Sequence, residues 1–153
     1  MLNKELLKEF TIAVRQSTLK RLVKVPEGYE HWKLFSSSLS FAEVAKHLID
    51  IDEWLINKIK NPELKSIETQ TAVMSECSRE KFLKLIDGLR SSLDDKLELI
   101  ESINEDELGK NFYDDSYDTD MSLAMIILRR NLDHEIHHRG QLAVYLRVIE
   151  DSK

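Results

Sequence analysis

From Ser78 onward the aliphatic residues of this chain fall on a single helical line: Phe82, Leu85, Ile86, Leu89, Leu93, Leu97, Ile100 and Ile103. Steps of three and four stack those side chains on one face of an α-helix, whereas a strand would scatter them over both faces. A stripe of that length needs partners that carry stripes of their own. Three other segments supply them. Residues 3–23 carry Leu6, Phe10, Ala13, Val14 and Leu22, residues 41–60 carry Val44, Ile51 and Trp54, and residues 121–149 carry Leu123, Ile127 and Tyr145. Four amphipathic helices predict an all-α fold, a four-helix bundle, in which facing side chains commonly build metal and ligand sites.

The punctuation agrees. Pro26-Glu27-Gly28 is a turn signal that ends the first helix, and Pro62 ends the second. Ser40 with Glu43 three residues on reads as a capping box, and Ser78 reads as the N-cap of the third helix. Residues 61–77 connect helices two and three without clear periodicity, and the acidic stretch 104–120, with Gly109, reads as a loop. There is no internal repeat and no composition shift, so the 153 residues are expected to form one domain, 1–153, long enough to bury a core without a staple. A metal here would therefore serve function before folding.

The net charge of −6 argues against a phosphate backbone as partner, because such affinity rests on clustered Lys and Arg. No apolar run approaches the roughly 20 residues needed to cross a bilayer, and the first residues lack the apolar core of a signal peptide. The expectation is a soluble, cytoplasmic protein with neither nucleic acid nor membrane as partner. The single cysteine, Cys77, has no internal disulfide partner. It stands just before a helix start with no histidine near it in sequence, which favours an ordinary capping-region cysteine over a nucleophile.

The chemistry concentrates in His134-Glu135-Ile136-His137-His138-Arg139-Gly140-Gln141. At about 100° per residue, His134 and His138 leave one face of the last helix together with Leu123, Ile127, Gln141 and Tyr145, while Arg129, Glu135 and Arg139 point away. On helix two the same arithmetic puts His47 with Val44, Ile51 and Trp54, and Asp50 at the edge of that stripe. Three inward imidazoles carry a polar cost that one divalent cation relieves, each ring using one nitrogen for the ion and the other for a neighbour. The bland reading is that they bond to core groups such as Asp50, Asn131 or Gln141. His137 lies on a neighbouring face and belongs to a pocket wall, an outer shell or a subunit interface. His31, before helix two, is a weak candidate for a fourth ligand.

With these residues in place, the chain resembles the DinB (DinB/YfiT-like) family. The carriers are His47 in Ala45-Lys46-His47-Leu48-Ile49-Asp50-Ile51-Asp52-Glu53-Trp54 and the run His134 to Arg147, HEIHHRGQLAVYLR. The resemblance implies a four-helix bundle, often dimeric, with a divalent metal (nickel, zinc, manganese or iron) on His47, His134 and His138. It further implies metal-dependent enzymes, among them S-transferases and isomerases that use low-molecular-weight thiols such as bacillithiol, mycothiol or glutathione. The family name refers to induction by DNA damage, which suggests a stress response. The chain stops soon after Arg147, without the Gly- and Pro-containing tail of many relatives, so contacts made by such a tail are expected to be missing.

Three protein ligands with open positions is a catalytic pattern. A bound cation can deprotonate a thiol or lower the pKa of water, so the protein needs no reactive cysteine of its own. Asp50 and Gln141 are then candidates to orient ligands, with Trp54, His137 and Tyr145 as candidates for the pocket. Expected partners are a small-molecule substrate, a low-molecular-weight thiol and a second copy of the chain. The rival from another class is a non-catalytic metal- or small-ligand-binding stress protein with a closed ligand shell. A third reading is a structural histidine cluster in a helical interaction protein.

Overall fold

The computed structural model describes residues 3–65, 74 and 76–152. Four long helical stretches follow the apolar periodicity: α1 (Lys4–Leu22), α2 (Phe41–Lys60), α3 (Arg79–Ser102) and a last stretch, which starts at Leu123 rather than at Met121, made of α5 (Leu123–Ile126), a π-helical segment (Ile127–Leu132) and α6 (Asp133–Asp151). The caps of α2 and α3 are those the sequence signals. Ser40 Oγ accepts from Glu43 N at 3.1 Å while Glu43 Oε1 accepts from Ser40 N at 3.0 Å, completing the capping box. Ser78 Oγ accepts from Lys81 N at 3.1 Å. The turn after α1 closes with Tyr29 N donating to Pro26 O at 3.1 Å, and Gly28 at φ 94° supplies the left-handed residue that this turn needs. Most of the connection expected at 61–77 lies outside the described residues.

Residues 104–120 depart from the loop expected there. They hold a one-turn helix, α4 (Glu105–Leu108), and an antiparallel hairpin of β1 (Asn111–Asp114) and β2 (Thr119–Ser122), with Phe112 opposite Met121 and Asp114 opposite Thr119. Asp114 anchors it: Oδ1 accepts from Ser116 N and Tyr117 N, each at 3.0 Å, and Oδ2 accepts from Arg130 Nη1 at 2.7 Å. Strands of four residues, polar at most positions, are too short to show a two-residue period in sequence.

Helix α2 packs mainly on α3, α3 on α1 and α1 on α6. The fourth side, between α2 and α6, has the fewest close backbone approaches, and the π-helical segment rather than α6 makes most of the closure there. Two apolar clusters divide the interior along the bundle axis. One gathers Leu22, Phe41, Val44, Leu48, Phe82, Ile86, Leu89, Leu142, Tyr145 and Ile149; the other gathers Leu7, Val14, Trp54, Leu55, Ile100, Ile126 and Leu132. On each helix the residues between those sets are polar and buried: Arg15 and Thr18 on α1, Asp52 on α2, Lys96 on α3, and Asn131 with Glu135 on the last stretch. A polar layer thus crosses the middle of the bundle, and the histidines lie at its α2/α6 side.

Candidate metal centre

His47 lies seven residues into α2, and His134 and His138 open α6 on successive turns. Helical spacing turns all three rings into the gap that the weak α2/α6 contact leaves. Ring centroids are 5.1 Å apart for His47 and His134, 4.9 Å for His47 and His138, and 4.9 Å for His134 and His138, a nearly equilateral triangle. The Nε2 atoms converge at its centre, at 3.1 Å between His47 and His134 and 3.0 Å between His134 and His138. Two ligand nitrogens about 2.1 Å from one ion and at right angles to each other are about 3.0 Å apart, so these separations suit a shared cation.

The proton inventory points the same way. Gln141 Oε1 lies 2.8 Å from His138 Nδ1, and a carbonyl oxygen can only accept, so Nδ1 carries the hydrogen and Nε2 is left with its lone pair. His134 Nε2 approaches both His138 Nε2 and His47 Nε2, and a neutral ring cannot satisfy two such contacts by donating one hydrogen. A divalent cation on the three lone pairs satisfies all of them at once. Burial pushes each ring down to about 4, helped for His47 by the charge of His138 and for His134 by that of His47. All three are therefore neutral at pH 7, the form that binds metals. Among the described residues, this trio is the group of His, Cys, Asp and Glu side chains placed to hold an ion.

The remaining candidates separate by position. His137 is exposed, outside the trio, with Nε2 3.4 Å from Gln141 Nε2. Gln141 therefore bridges His138 and His137. Tyr145 lines a groove of about 390 Å³ with Leu34, Phe35, His137, Gly140 and Gln141, and its ring stands edge-on to Trp32 at 5.5 Å and Phe41 at 5.6 Å. Asp50 is ion-paired with Lys46 one turn back on α2, and its charge still reaches His47. Trp54 is buried in the second apolar cluster, away from the groove, with the Arg130 guanidinium 4.4 Å above its ring. His31 is exposed and outside the trio. Cys77 is buried, and burial raises its thiol pKa, against a role as nucleophile.

Glu135, placed away from the histidine stripe by helical arithmetic, is a buried polar residue of consequence. Its Oε1 accepts from Arg15 Nη2 at 2.7 Å and its Oε2 from Thr18 Oγ1 at 2.7 Å. Lying 100° around the helix from His134, it faces α1 while His134 faces α2. A charged residue next to an apolar-helix histidine carries no sequence signal of burial; the matching Arg15 on α1 was the available hint.

The sequence profile of the DinB family matches residues 1–149. The uncharacterized protein YjoA of Bacillus subtilis (strain 168) is 23% identical over 141 residues, which cover 87% of this chain and 82% of that protein. In three dimensions the chain is similar to the crystal structure of that DinB-like protein, with a TM-score of 0.70, 19% identity and coverage of 94% of this chain and 91% of the other. A DinB-like protein from Bacillus cereus ATCC 10987 gives a TM-score of 0.73 at 17% identity over 95% and 92% of the two chains. An uncharacterized protein from Clostridium difficile 630 gives 0.72 at 14% identity over 97% and 98%. At these identities the likeness speaks for the fold.

Proposed function

The chain belongs to the DinB family, and from that membership and the converging imidazoles we propose that it is a metal-dependent enzyme whose divalent ion is held by His47, His134 and His138. The observation that carries this reading is the meeting of three Nε2 atoms, with Gln141, bonded to His138, also lining a groove of about 390 Å³. A facial set of three ligands leaves positions for a thiol or water, whose pKa a bound cation lowers. The class of reaction we favour is transfer of a low-molecular-weight thiol to an electrophilic carbon: the S–C bond forms, the leaving group departs and the thiol proton passes to solvent.

The chain's own parts in this reading are distinct. The trio binds. Gln141 accepts from His138 Nδ1 and so keeps that ring's other nitrogen turned to the centre. Leu34, Phe35, Val144 and Tyr145 offer an apolar wall to the electrophile, and His137, at the groove's edge, offers a hydrogen-bonding group to its polar end. The reading extends to a homodimer that acts on small molecules, with its oligomeric state testable by light scattering.

Elemental analysis of the purified protein, followed by a panel of thiols assayed with a chlorinated aromatic electrophile, tests it. Stoichiometric metal and metal-dependent thioether formation are expected. Bound metal without turnover for any thiol would instead support a non-catalytic metal-binding protein.

A further inference from the structure

We propose that the buried network of Arg15, Asp52, Lys96 and Glu135 is the device that keeps the three histidines convergent, acting as a set of positioning residues for the metal centre; this rests on the metal reading above.

The network joins every long helix. Arg15 of α1 donates through Nη2 to Asp52 Oδ2 at 2.7 Å and to Glu135 Oε1 at 2.7 Å, and through Nη1 to Leu89 O at 2.6 Å. Lys96 of α3 donates to Asn131 Oδ1 at 3.0 Å and lies 2.8 Å from Asp52 Oδ1. Asp52 also accepts from Asn131 Nδ2 at 3.0 Å and from Ser92 Oγ at 2.7 Å. Two cations and two carboxylates, each at most 2% exposed, balance to zero. Every buried side-chain nitrogen and oxygen among the described residues has a partner.

Such a network is a poor source of net stability, because desolvating four charges cancels most of what their attraction returns, and apolar residues of equal volume do as well or better. What it supplies is direction. Apolar contacts are non-directional, whereas a guanidinium fork accepts its carboxylates in few orientations. The α2/α6 side is where direction is most needed, since little backbone packing fixes those two helices against each other. Asp52 sets the rotation of α2 five residues after His47, and Glu135 sets that of α6 between His134 and His138. Side-chain tips lie about 5–6 Å from a helix axis. A rotation of about 15° therefore moves a ring nitrogen about 1.5 Å, roughly three times the 0.5 Å tolerance of a preorganised site. Asn131, inside the π-helical segment, ties the point of phase change to both α2 and α3.

The test replaces the charges at constant volume: Arg15→Met, Asp52→Leu, Lys96→Met and Glu135→Met together. The expected protein unfolds in urea near the wild-type midpoint, yet binds Co2+ at least about tenfold more weakly and shows altered visible bands of the bound ion. Affinity within about twofold of wild type, or a loss that merely follows a loss of stability, overturns the proposal. Asp52→Asn, measured in the same way, serves if the quadruple variant does not fold. A crystal structure of the metal-free variant keeps the question separate from metal binding itself. Dispersed Nε2 atoms support the proposal and a native triangle overturns it, whereas failure of the wild type to bind any divalent ion would sink the metal reading alone.

Discussion

Gln141 Oε1 stands 2.8 Å from His138 Nδ1, while the opposite nitrogen of the same ring points at His134 Nε2, 3.0 Å away. One hydrogen bond thus decides which nitrogen can bind an ion. Gln141→Leu is expected to weaken Zn2+ binding by about 10–100-fold, the usual effect of losing an outer partner of a ligating histidine. Competition with a chromophoric chelator measures it, and unchanged affinity would remove Gln141 from the site.

His134→Ala and His138→Ala should each abolish stoichiometric metal uptake, since two ligands rarely hold an ion. His137→Ala should retain it, because His137 lies outside the trio. Metal content of the three purified variants separates them; full occupancy in the first two, or loss in the third, contradicts the assignment.

The metal-free protein should lose stability on acidification through a defined window. Each trio ring binds a proton at about 4 when folded, against an ordinary histidine value of 6.5, so between these values the unfolded chain holds more protons and unfolding becomes easier as pH falls. Above pH 7 the trio contributes no further slope. Urea unfolding of the chelator-treated protein at pH 5, 6, 7 and 8 measures the trend, and equal stability of wild type and the His47→Ala variant across that range would contradict it.

Gly140 is a helical glycine on the groove, and a Cβ added there meets no atom within 4 Å. Gly140→Ala is therefore expected to raise stability by about 0.5–1 kcal/mol through helix propensity alone. Gly140→Leu should leave metal uptake intact but fill the groove and abolish thiol transfer. Thermal unfolding and metal analysis check both, and turnover by the leucine variant would place the electrophile elsewhere.

Much of this arrangement was readable in one dimension because it is local. Ser40 with Glu43, Pro26 with Gly28 and the stripe from Phe82 to Ile103 act within a few residues of themselves, and periodicity alone puts His134 beside His138. His47 was readable as an inward residue of α2. The hairpin at Asn111–Ser122 was not, because its pairing and its anchor on Arg130 are contacts between segments. The π-helical turn at Ile127–Leu132 was invisible for a related reason: one widened turn shifts the phase of the helix, so arithmetic running from Leu123 to His134 at 3.6 residues per turn does not carry across it.

Four amphipathic helices, the caps at Ser40 and Ser78 and the inward facing of His47, His134 and His138 each follow from spacing along one chain segment. That the α2/α6 side stays open, that the three Nε2 atoms meet there and that Glu135 turns to Arg15 rather than to water came from the packing of the helices. Those outcomes depend on how helices far apart in sequence are rotated against one another, and buried hydrogen bonds between Arg15, Asp52, Lys96 and Glu135, which no local pattern encodes, set that rotation.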